Sequence, residues 1–273
     1  MKNISFEFFP TKTDEGSKKL ALVRDKLGTC KPGYFSVTYG AGGTTQDGTL
    51  NTALSIKQAG FNVAPHLSCI GSSRAHLREI LNTYKSHQIK RVVALRGDLP
   101  SGSHDLGELH YANELVEFIR QETGDYFHIE VAAYPEFHPQ ATSSKADFQH
   151  FQAKMKAGAN SAITQYFFNI DAYLYFVDDC LKAGIEQAIV PGIMPIVNYT
   201  RLSNFSNMCG AEIPSWIRKR LEVFGDDSES VKKFGLEVVS NLCQKLLDSG
   251  APGLHFYTLN QADTTLKIIN NIS

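Results

Sequence analysis

Eight short runs rich in β-branched and aromatic residues alternate along the chain with longer stretches that place apolar residues at helical spacing. This alternation is typical of parallel β/α units, because a parallel strand is reached from the previous one through a crossover helix. The predicted strands are Ser5 to Phe9, Tyr34 to Tyr39, Asn62 to Cys69, Arg91 to Arg96, His128 to Tyr134, Ser161 to Phe168, Ala188 to Ile196 and Leu254 to Thr258.

Eight strands and eight helices in 273 residues favour an α/β fold, the (β/α)8 or TIM barrel, as a single domain over residues 1–273. An open, doubly wound sheet is the alternative architecture. The first strand-to-helix turn lacks the G-x-G-x-x-G sequence that marks dinucleotide binding in such sheets, which favours the barrel.

The composition limits the classes of partner. The 27 Lys and Arg residues nearly balance the 28 Asp and Glu residues, which argues against nucleic acid or an anionic membrane and favours small molecules. No apolar run approaches the roughly 20 residues of a membrane span, and the first residues do not resemble a signal peptide, so we expect a cytoplasmic protein. The five cysteines form no C-x-x-C pair, and we expect them to be reduced and structural.

Functional side chains in a barrel come from the carboxyl ends of the strands and from the loops that follow them. Glu7 is the sharpest candidate, because phenylalanines flank it in SFEFFP and desolvation would let it carry a proton near neutral pH. A structural pair with Arg96 inside the barrel is the alternative interpretation of Glu7. A catalytic metal is not expected, since no H-E-x-x-H or similar close ligand spacing occurs.

Two other groups of residues are open to two interpretations each. Arg96, Gly97 and Asp98 place a cation and a carboxylate around a glycine, either to let a flat or phosphorylated ligand approach or to form a plain ion pair. Asp147 and Lys154 lie two turns apart on one predicted helix face, which by spacing alone favours a solvated surface. Gly42 and Gly43 lack the ending of a P-loop and are interpreted as part of a lid.

Seven blocks, each at a predicted strand end and all in the same order, resemble the methylenetetrahydrofolate reductase family. They are residues 5–10 (SFEFFP), 37–41 (VTYGA), 64–67 (APHL), 94–98 (ALRGD), 132–136 (AAYPE), 162–167 (AITQYF) and 255–260 (HFYTLN). The resemblance runs almost end to end and implies an FAD-binding (β/α)8 enzyme. It implies hydride transfer from NADH or NADPH to 5,10-methylenetetrahydrofolate by a ping-pong mechanism, which gives 5-methyltetrahydrofolate for methionine synthesis.

Residue roles follow from the same resemblance. Glu7 matches the general acid of the family, and Asp98 matches the carboxylate beside the flavin that also binds the folate pterin. Gln165, Phe205 and Tyr257 match positions that contact folate or nicotinamide. The FAD-binding set is matched by Thr38, His66, Arg96, Gly97, Asp98, Tyr111, Ala112, Ala132, Tyr134, His138, Asp147 and Lys154. Asp147 is implied to bind a hydroxyl group of FAD and Lys154 a phosphate.

Some positions depart from the family pattern, and some alternatives stay open. His150, Gln152 and Ala153 stand where relatives often carry cations, and Gln261 stands where an arginine is expected to contact the folate tail. The resemblance further implies a homo-oligomer, either dimer or tetramer, and no S-adenosylmethionine-binding regulatory domain after the barrel. An FAD barrel that oxidises an amino acid such as proline and a non-catalytic folate-binding barrel are the competing functions.

Overall fold

The computed structural model describes residues 3–39, 46–98 and 106–272. Within them the strands are β1 (Asn3–Phe8), β2 (Tyr34–Val37), β3 (Val63–Ser68), β4 (Arg91–Leu95), β5 (His128–Ala133), β6 (Ser161–Thr164), β7 (Ala188–Val190), β8 (Gly192–Ile193) and β9 (Gly253–Tyr257). The helices are α1 (Asp14–Gly28), α2 (Gln46–Gln58), α3 (Arg74–Ser86), α4 (Ala112–Thr123), α5 (Ser144–Lys156), α6 (Ile170–Lys182), α7 (Tyr199–Cys209), α8 (Ser215–Phe224), α9 (Ser228–Asp248) and α10 (Asp263–Asn271).

All the strand pairs are parallel, and the strand order is β7-β6-β5-β4-β3-β2-β1-β9-β8. The two ends of this order, β7 and β8, are separated by Pro191 alone. β7 pairs with β6 and β8 pairs with β9, so one short segment closes the sheet into a barrel. The predicted (β/α)8 fold is therefore confirmed.

The predicted strand Ala188 to Ile196 is wrong in detail, because two shorter strands replace it. Pro191 has no N–H to give to a ladder, but its carbonyl accepts a hydrogen bond from the His255 amide at 3.0 Å. The segment thus changes its partner from β6 to β9 at this proline. Most of the other strands end earlier in the structure than the sequence predicts. Ser161 to Phe168, for example, ends as a strand at Thr164.

The prediction of eight helices is also wrong in number. The stretch between β8 and β9 forms three helices, α7 to α9, where the barrel repeat calls for one. Gly210 ends α7 in the left-handed region with φ 77°, and Pro214 precedes α8, so these two residues divide the stretch. None of the helices in the part of the chain that the structure describes is long and apolar enough to cross a membrane.

Side chains alternate between the two faces of each strand, and this period separates the core from the barrel interior. Phe6, Phe8 and Phe35 face outward towards the helices, where their rings lie 5.1 to 5.6 Å apart in the main core. A smaller apolar layer of Tyr34, Ala64, Val93 and Ile163 fills the interior. Further inward positions carry polar residues, including Glu7, His66, Glu130 and His255.

Candidate active site

A cavity of about 300 Å³ lies at the carboxyl ends of the strands, where the sequence places the functional residues. Its walls come from β1, β3, β4, β5, β6, β9 and α7. The cavity brings together seven of the predicted site residues, namely Glu7, His66, Ala132, Tyr134, Gln165, Phe205 and Tyr257. Cavities of this size and mixed polarity are typical of small-molecule sites.

Glu7 points into this cavity, but the sequence argument for its environment was wrong. Phe6 and Phe8 lie on the opposite face of β1, because neighbouring side chains on a strand point to opposite sides. The side chain of Glu7 is 12% exposed, and its neighbours are two imidazoles. Its immediate neighbours are therefore imidazoles, and of the three flanking phenylalanines only Phe9 lines the same cavity.

The two imidazoles belong to His66 on β3 and His255 on β9. Oε2 of Glu7 lies 3.4 Å from Nε2 of His66 and 3.8 Å from Nε2 of His255. Nδ1 of His255 lies 2.7 Å from the Ser5 hydroxyl, and its Nε2 lies 3.4 Å from the hydroxyl of Ser36. Contacts from two strands, β1 and β2, thus hold the His255 ring in place beside Glu7.

His255 was not among the predicted site residues, although it stands in the block HFYTLN. Its position in the strand could have identified it: His255 and Tyr257 are two residues apart, so both side chains lie on the inward face of β9. The cavity also contains Met194, Tyr166, Met208, Cys209 and Leu259, which the sequence did not single out. Apolar and aromatic residues carry no chemical signature, so their place in the wall follows only from the fold.

His66 is fully enclosed and holds an unused polar atom. Among the residues that the structure describes, its Nε2 is the buried side-chain nitrogen or oxygen without a hydrogen-bond partner. Burial lowers the pKa of His66; Glu7 opposes this shift and His255 adds to it. The ring is therefore neutral at neutral pH, and Nε2 offers either a donor or an acceptor to a ligand in the cavity.

Tyr257 also lines the cavity, and its own hydrogen bond holds it in place. Its phenol donates to the Thr164 carbonyl at 2.7 Å, which joins β9 to β6 where the barrel closes. Burial and the nearby carboxylate of Glu7 raise the pKa of Tyr257 well above its usual value. Tyr257 is thus a neutral donor that is already engaged, which leaves its ring as the part that lines the cavity.

Gln165 reaches the cavity from the end of β6, and Phe205 reaches it from α7. Oε1 of Gln165 accepts a hydrogen bond from the Tyr166 amide at 3.0 Å, which leaves the two N–H donors of its carboxamide unused by this contact. Phe205 is half-buried on α7, and Met208 and Cys209 follow it one turn later. The helix therefore covers one side of the cavity with apolar side chains.

A second group of predicted residues continues from the cavity along the loop after β5. The rings of Tyr134 and His138 meet edge to face, 4.6 Å apart. The carboxylate of Asp147 accepts a hydrogen bond from the His138 amide at 2.8 Å, and Nζ of Lys154 donates to the Ala132 carbonyl at 2.6 Å. Both side chains thus turn inward from α5 towards the barrel.

The pKa of Lys154 is shifted in this position. Burial lowers the pKa of Lys154 to about 8, while Asp147 acts in the opposite direction. The solvated-face interpretation of Asp147 and Lys154 is therefore wrong. An ammonium group has three donors, so two remain for a ligand after the bond to Ala132.

Arg96, Gly97 and Asp98 follow β4 but do not form the ion pair that was the alternative interpretation. Nε of Arg96 donates to the His110 carbonyl at 3.1 Å, and within the described residues neither Asp98 nor Glu7 is its ion-pair partner. Asp98 is exposed. Burial raises the pKa of Tyr134 to about 12, with smaller contributions from Asp147, Cys209 and, last, Asp98.

The remaining predicted residues lie around the same strand ends. Thr38 directly follows β2, and its amide donates to the Phe8 carbonyl at 2.9 Å; it is not among the residues that line the cavity. Tyr111 and Ala112 begin α4, and the exposed ring of Tyr111 lies outside the cavity. Gly42 and Gly43, interpreted as a lid, lie outside the described residues. The described residues contain no group of three or more His, Cys, Asp or Glu side chains placed to hold a metal ion.

Comparisons with known proteins agree with this geometry. The family model for methylenetetrahydrofolate reductase matches residues 1–273. The 5,10-methylenetetrahydrofolate reductases of Pectobacterium carotovorum and Escherichia coli are each 41% identical, over 99% of this chain and 90% of theirs. A probable methylenetetrahydrofolate reductase (NADH) of Oryza sativa is 39% identical over 98% of this chain and 48% of its own length.

Solved structures show the same fold at low sequence identity. An uncharacterised protein from Clostridium thermocellum, which binds two copies of 5-methyl-5,6,7,8-tetrahydrofolic acid, superposes with a TM-score of 0.67 and 14% identity. The alignment covers 99% of this chain and 94% of that one. A dihydropteroate synthase of Coxiella burnetii in complex with pteroic acid gives 0.51 at 10% identity, over 99% and 91% of the chains.

Proposed function

Since the chain belongs to the methylenetetrahydrofolate reductase family, we propose that it reduces 5,10-methylenetetrahydrofolate to 5-methyltetrahydrofolate, with FAD as bound cofactor and NADH or NADPH as hydride donor. The observation that carries the proposal is the inward carboxyl group of Glu7 at the base of the cavity. The family match favours this reaction over amino-acid oxidation and over folate binding without catalysis.

The residues around the cavity fit FAD. The isoalloxazine needs a flat, largely apolar slot, and Ile163, Leu259 and the ring of Tyr257 supply apolar walls. The unpartnered Nε2 of His66 offers a polar contact inside that slot. After its bond to the Ala132 carbonyl, Lys154 retains donors that could bind a phosphate group of FAD. When bound, FAD accepts a hydride from the nicotinamide and delivers it to the folate.

The other predicted FAD residues have roles that follow from their positions. Asp147 and His138 are joined through the His138 amide, so together they form a polar edge for the ribose or adenine side. The remaining members, assigned by the family resemblance and lying around the same strand ends, are Thr38, Arg96, Gly97, Asp98, Tyr111, Ala112, Ala132 and Tyr134.

Glu7 is the proton donor in this proposal. Opening of the methylene bridge needs a proton on the bridge nitrogen that leaves the carbon, and that carbon then accepts the hydride. Glu7 approaches the ligand from the barrel interior, where His66 and His255 surround its carboxyl group. Asp98 is proposed to act from the opposite, exposed side, where it binds the pterin and influences the flavin.

The cavity supports a ping-pong sequence because nicotinamide and pterin are both flat and would stack on the same flavin face. Gln165, Phe205 and Tyr257 lie around that space and are proposed to contact each ligand in turn. Two plant relatives carry NADH in their names, so NADH is the first hydride donor to test. We also propose a homo-oligomer and a cytoplasmic location, as the sequence predicts; light scattering of the purified protein tests the first.

The test of the function is a pair of half-reactions followed by stopped-flow absorbance. Purified protein is expected to be yellow or to become so on addition of FAD. NADH or NADPH should then bleach the flavin bands in the absence of folate, and methylenetetrahydrofolate should restore them in the absence of nicotinamide. A colourless protein that stays inactive after FAD is added contradicts the proposal, as does bleaching that folate cannot reverse.

A further inference from the structure

Two buried hydroxyl groups connect the strand side of the cavity to the helix that covers it. The phenol oxygen of Tyr166 lies 3.0 Å from the hydroxyl oxygen of Ser206, and the two residues are 3% and 5% exposed. Tyr166 follows Gln165 in the chain, and Ser206 follows Phe205. The bond therefore joins the immediate neighbours of two residues that line the cavity.

Tyr166 also orients Gln165 directly. Its backbone amide donates to Oε1 of Gln165, so the carboxamide is held from one side while the phenol of Tyr166 reaches α7. The Tyr166 ring contacts the ring of Tyr257 edge to face, with 6.4 Å between centroids. A single residue thus contacts the Gln165 side chain, the Tyr257 ring and the covering helix.

Ser206 lies on the inward face of α7, next to the side that carries Phe205. Leu202 and Ser206 are the buried residues of this helix, while Met208 is 69% exposed. One apolar residue and one hydroxyl therefore make up its fully buried face. Tyr199, Phe205 and Cys209 add partly buried contacts to the core. The Ser206 hydroxyl adds a directional bond, which fixes the position of the helix more specifically than apolar packing does.

A second contact holds the end of α7. The amide of Glu212, just beyond the helix, donates to the carboxylate of Glu136 at 2.8 Å, which ties this end to the loop after β5. Gly210 packs against Pro139 at the same place. This contact lies beyond the last turn of α7, whereas the bond between Tyr166 and Ser206 lies directly beside Phe205.

We propose that Tyr166 and Ser206 are positioning residues, and that the hydrogen bond between them sets the distance of Phe205 from Gln165 across the ligand. The ligand class is a flat, hydrogen-bonding heterocycle, pterin or nicotinamide, held between the aromatic ring and the carboxamide. The identity of these ligands rests on the proposed function. The hydrogen bond and its effect on α7 do not depend on that function.

The variants Tyr166→Phe, Ser206→Ala and the double variant test this proposal. Each single change should raise KM for methylenetetrahydrofolate roughly three- to tenfold, the range that loss of one buried hydrogen bond allows, while kcat changes less. The double variant should resemble the single ones, because all three lack the same bond. Retention of FAD should match that of the unaltered protein.

Tyr173→Phe is the matched control. The Tyr173 phenol is equally buried and donates to the Ile189 carbonyl at 2.8 Å, but Tyr173 lies on α6 and does not line the cavity. This variant should lose thermal stability without any change in KM. An equal rise of KM in Tyr173→Phe would overturn the proposal, because the effect would then be one of general stability.

Amide hydrogen exchange tests whether the bond holds α7 in place, independently of the enzymatic activity. Amides of residues 199–209 should exchange faster in Tyr166→Phe and Ser206→Ala than in the unaltered protein, whereas Tyr173→Phe should leave them unchanged. Unchanged exchange together with unchanged KM overturns the proposal. If the unaltered protein fails in both half-reactions, the proposed function and the ligand assignment fail, and exchange alone decides whether the bond holds α7.

Discussion

Oε2 of Glu7 lies 3.4 Å from Nε2 of His66, close enough for an ion pair but without the geometry of a hydrogen bond. Burial lowers the pKa of His66 and favours a neutral ring. The pair therefore does not neutralise the carboxyl group, as an arginine would. Glu7 is left able to exchange a proton with a ligand, and His66 Nε2 is left able to bind one.

Glu7→Gln separates the two half-reactions. Flavin reduction by NADH or NADPH should stay within about twofold, because it needs no proton from Glu7, whereas reoxidation by methylenetetrahydrofolate should slow by roughly a hundredfold or more. Stopped-flow absorbance measures both. Glu122→Gln, a surface change at the ion pair with Arg78, should alter neither rate. An equal loss in both half-reactions of Glu7→Gln contradicts the proton-donor role.

The importance of Glu7 could be predicted from the sequence, but its surroundings could not. A carboxylate in an apolar run is a local signal, and the strand period alone decides which face it takes. The contacts to His66 and His255 join residues 59 and 248 positions away, as their numbers show. Such contacts depend on how the barrel closes, which the local pattern does not contain.

The barrel itself follows from the alternation of strands and helices, but its closure does not. Pro191 lies within an apolar run that the pattern predicts as one strand. The break at this proline becomes visible only from the pairing, since β7 pairs with β6 and β8 pairs with β9. That α7 covers the cavity could not be predicted from its hydrophobic pattern for a similar reason. Its sequence is helical in period, yet that period cannot show that Phe205 and Met208 line a cavity, and Phe205 was assigned to the site only through the family resemblance.

Lys154→Ala should weaken FAD binding roughly tenfold or more, the range expected for a charge-assisted contact to phosphate. Activity at saturating FAD should be unchanged. Lys156→Ala, at an exposed position on the same helix, is the control and should bind FAD as the unaltered protein does. Equilibrium titration with FAD, followed by flavin fluorescence, measures both. Equal affinities in the two variants would contradict a phosphate contact.

The same lysine predicts a pH dependence of FAD affinity. Since the pKa of Lys154 is lowered to about 8, the ammonium form is present below this pH and is lost above it. FAD affinity should therefore fall between about pH 7 and pH 9. Lys154→Ala should lack this fall over the same range. A fall of the same size in the variant would assign the dependence to another group.

Gly97→Ala tests why a glycine follows Arg96. Gly97 has φ 81°, and an added Cβ would lie 1.7 Å from the Ser68 hydroxyl, so both backbone strain and a clash are expected. Gly124→Ala is the control, because Gly124 has φ 55° and no described atom lies within 4 Å of its Cβ position. Urea unfolding should show a loss of about 1 kcal/mol for Gly124→Ala and roughly 2 to 4 kcal/mol for Gly97→Ala. Equal losses combined with weaker FAD binding in Gly97→Ala would instead favour close approach of a ligand.

His128 predicts how stability depends on pH at the opposite end of the barrel. Burial, together with Arg91 and Arg120, lowers the pKa of His128 to about 4, and its Nε2 lies 2.7 Å from the Ser161 hydroxyl. The unfolded chain binds a proton below about pH 6.5, whereas the folded protein resists it until about pH 4. The stabilising contribution is therefore complete above pH 6.5 and is lost as the pH falls towards 4.

His128→Gln should remove this loss while keeping a side chain that can bond to Ser161. Between pH 6.5 and pH 4 the free energy of unfolding should fall less steeply than in the unaltered protein. The difference is at most roughly 1 kcal/mol per pH unit, because solvent reaches about a third of the side chain and screens its charge. Urea titrations at half-unit pH steps measure the slope. His87→Gln, at an exposed position after α3, should keep the original slope, and an unchanged slope in His128→Gln would show that this histidine is not the group that titrates.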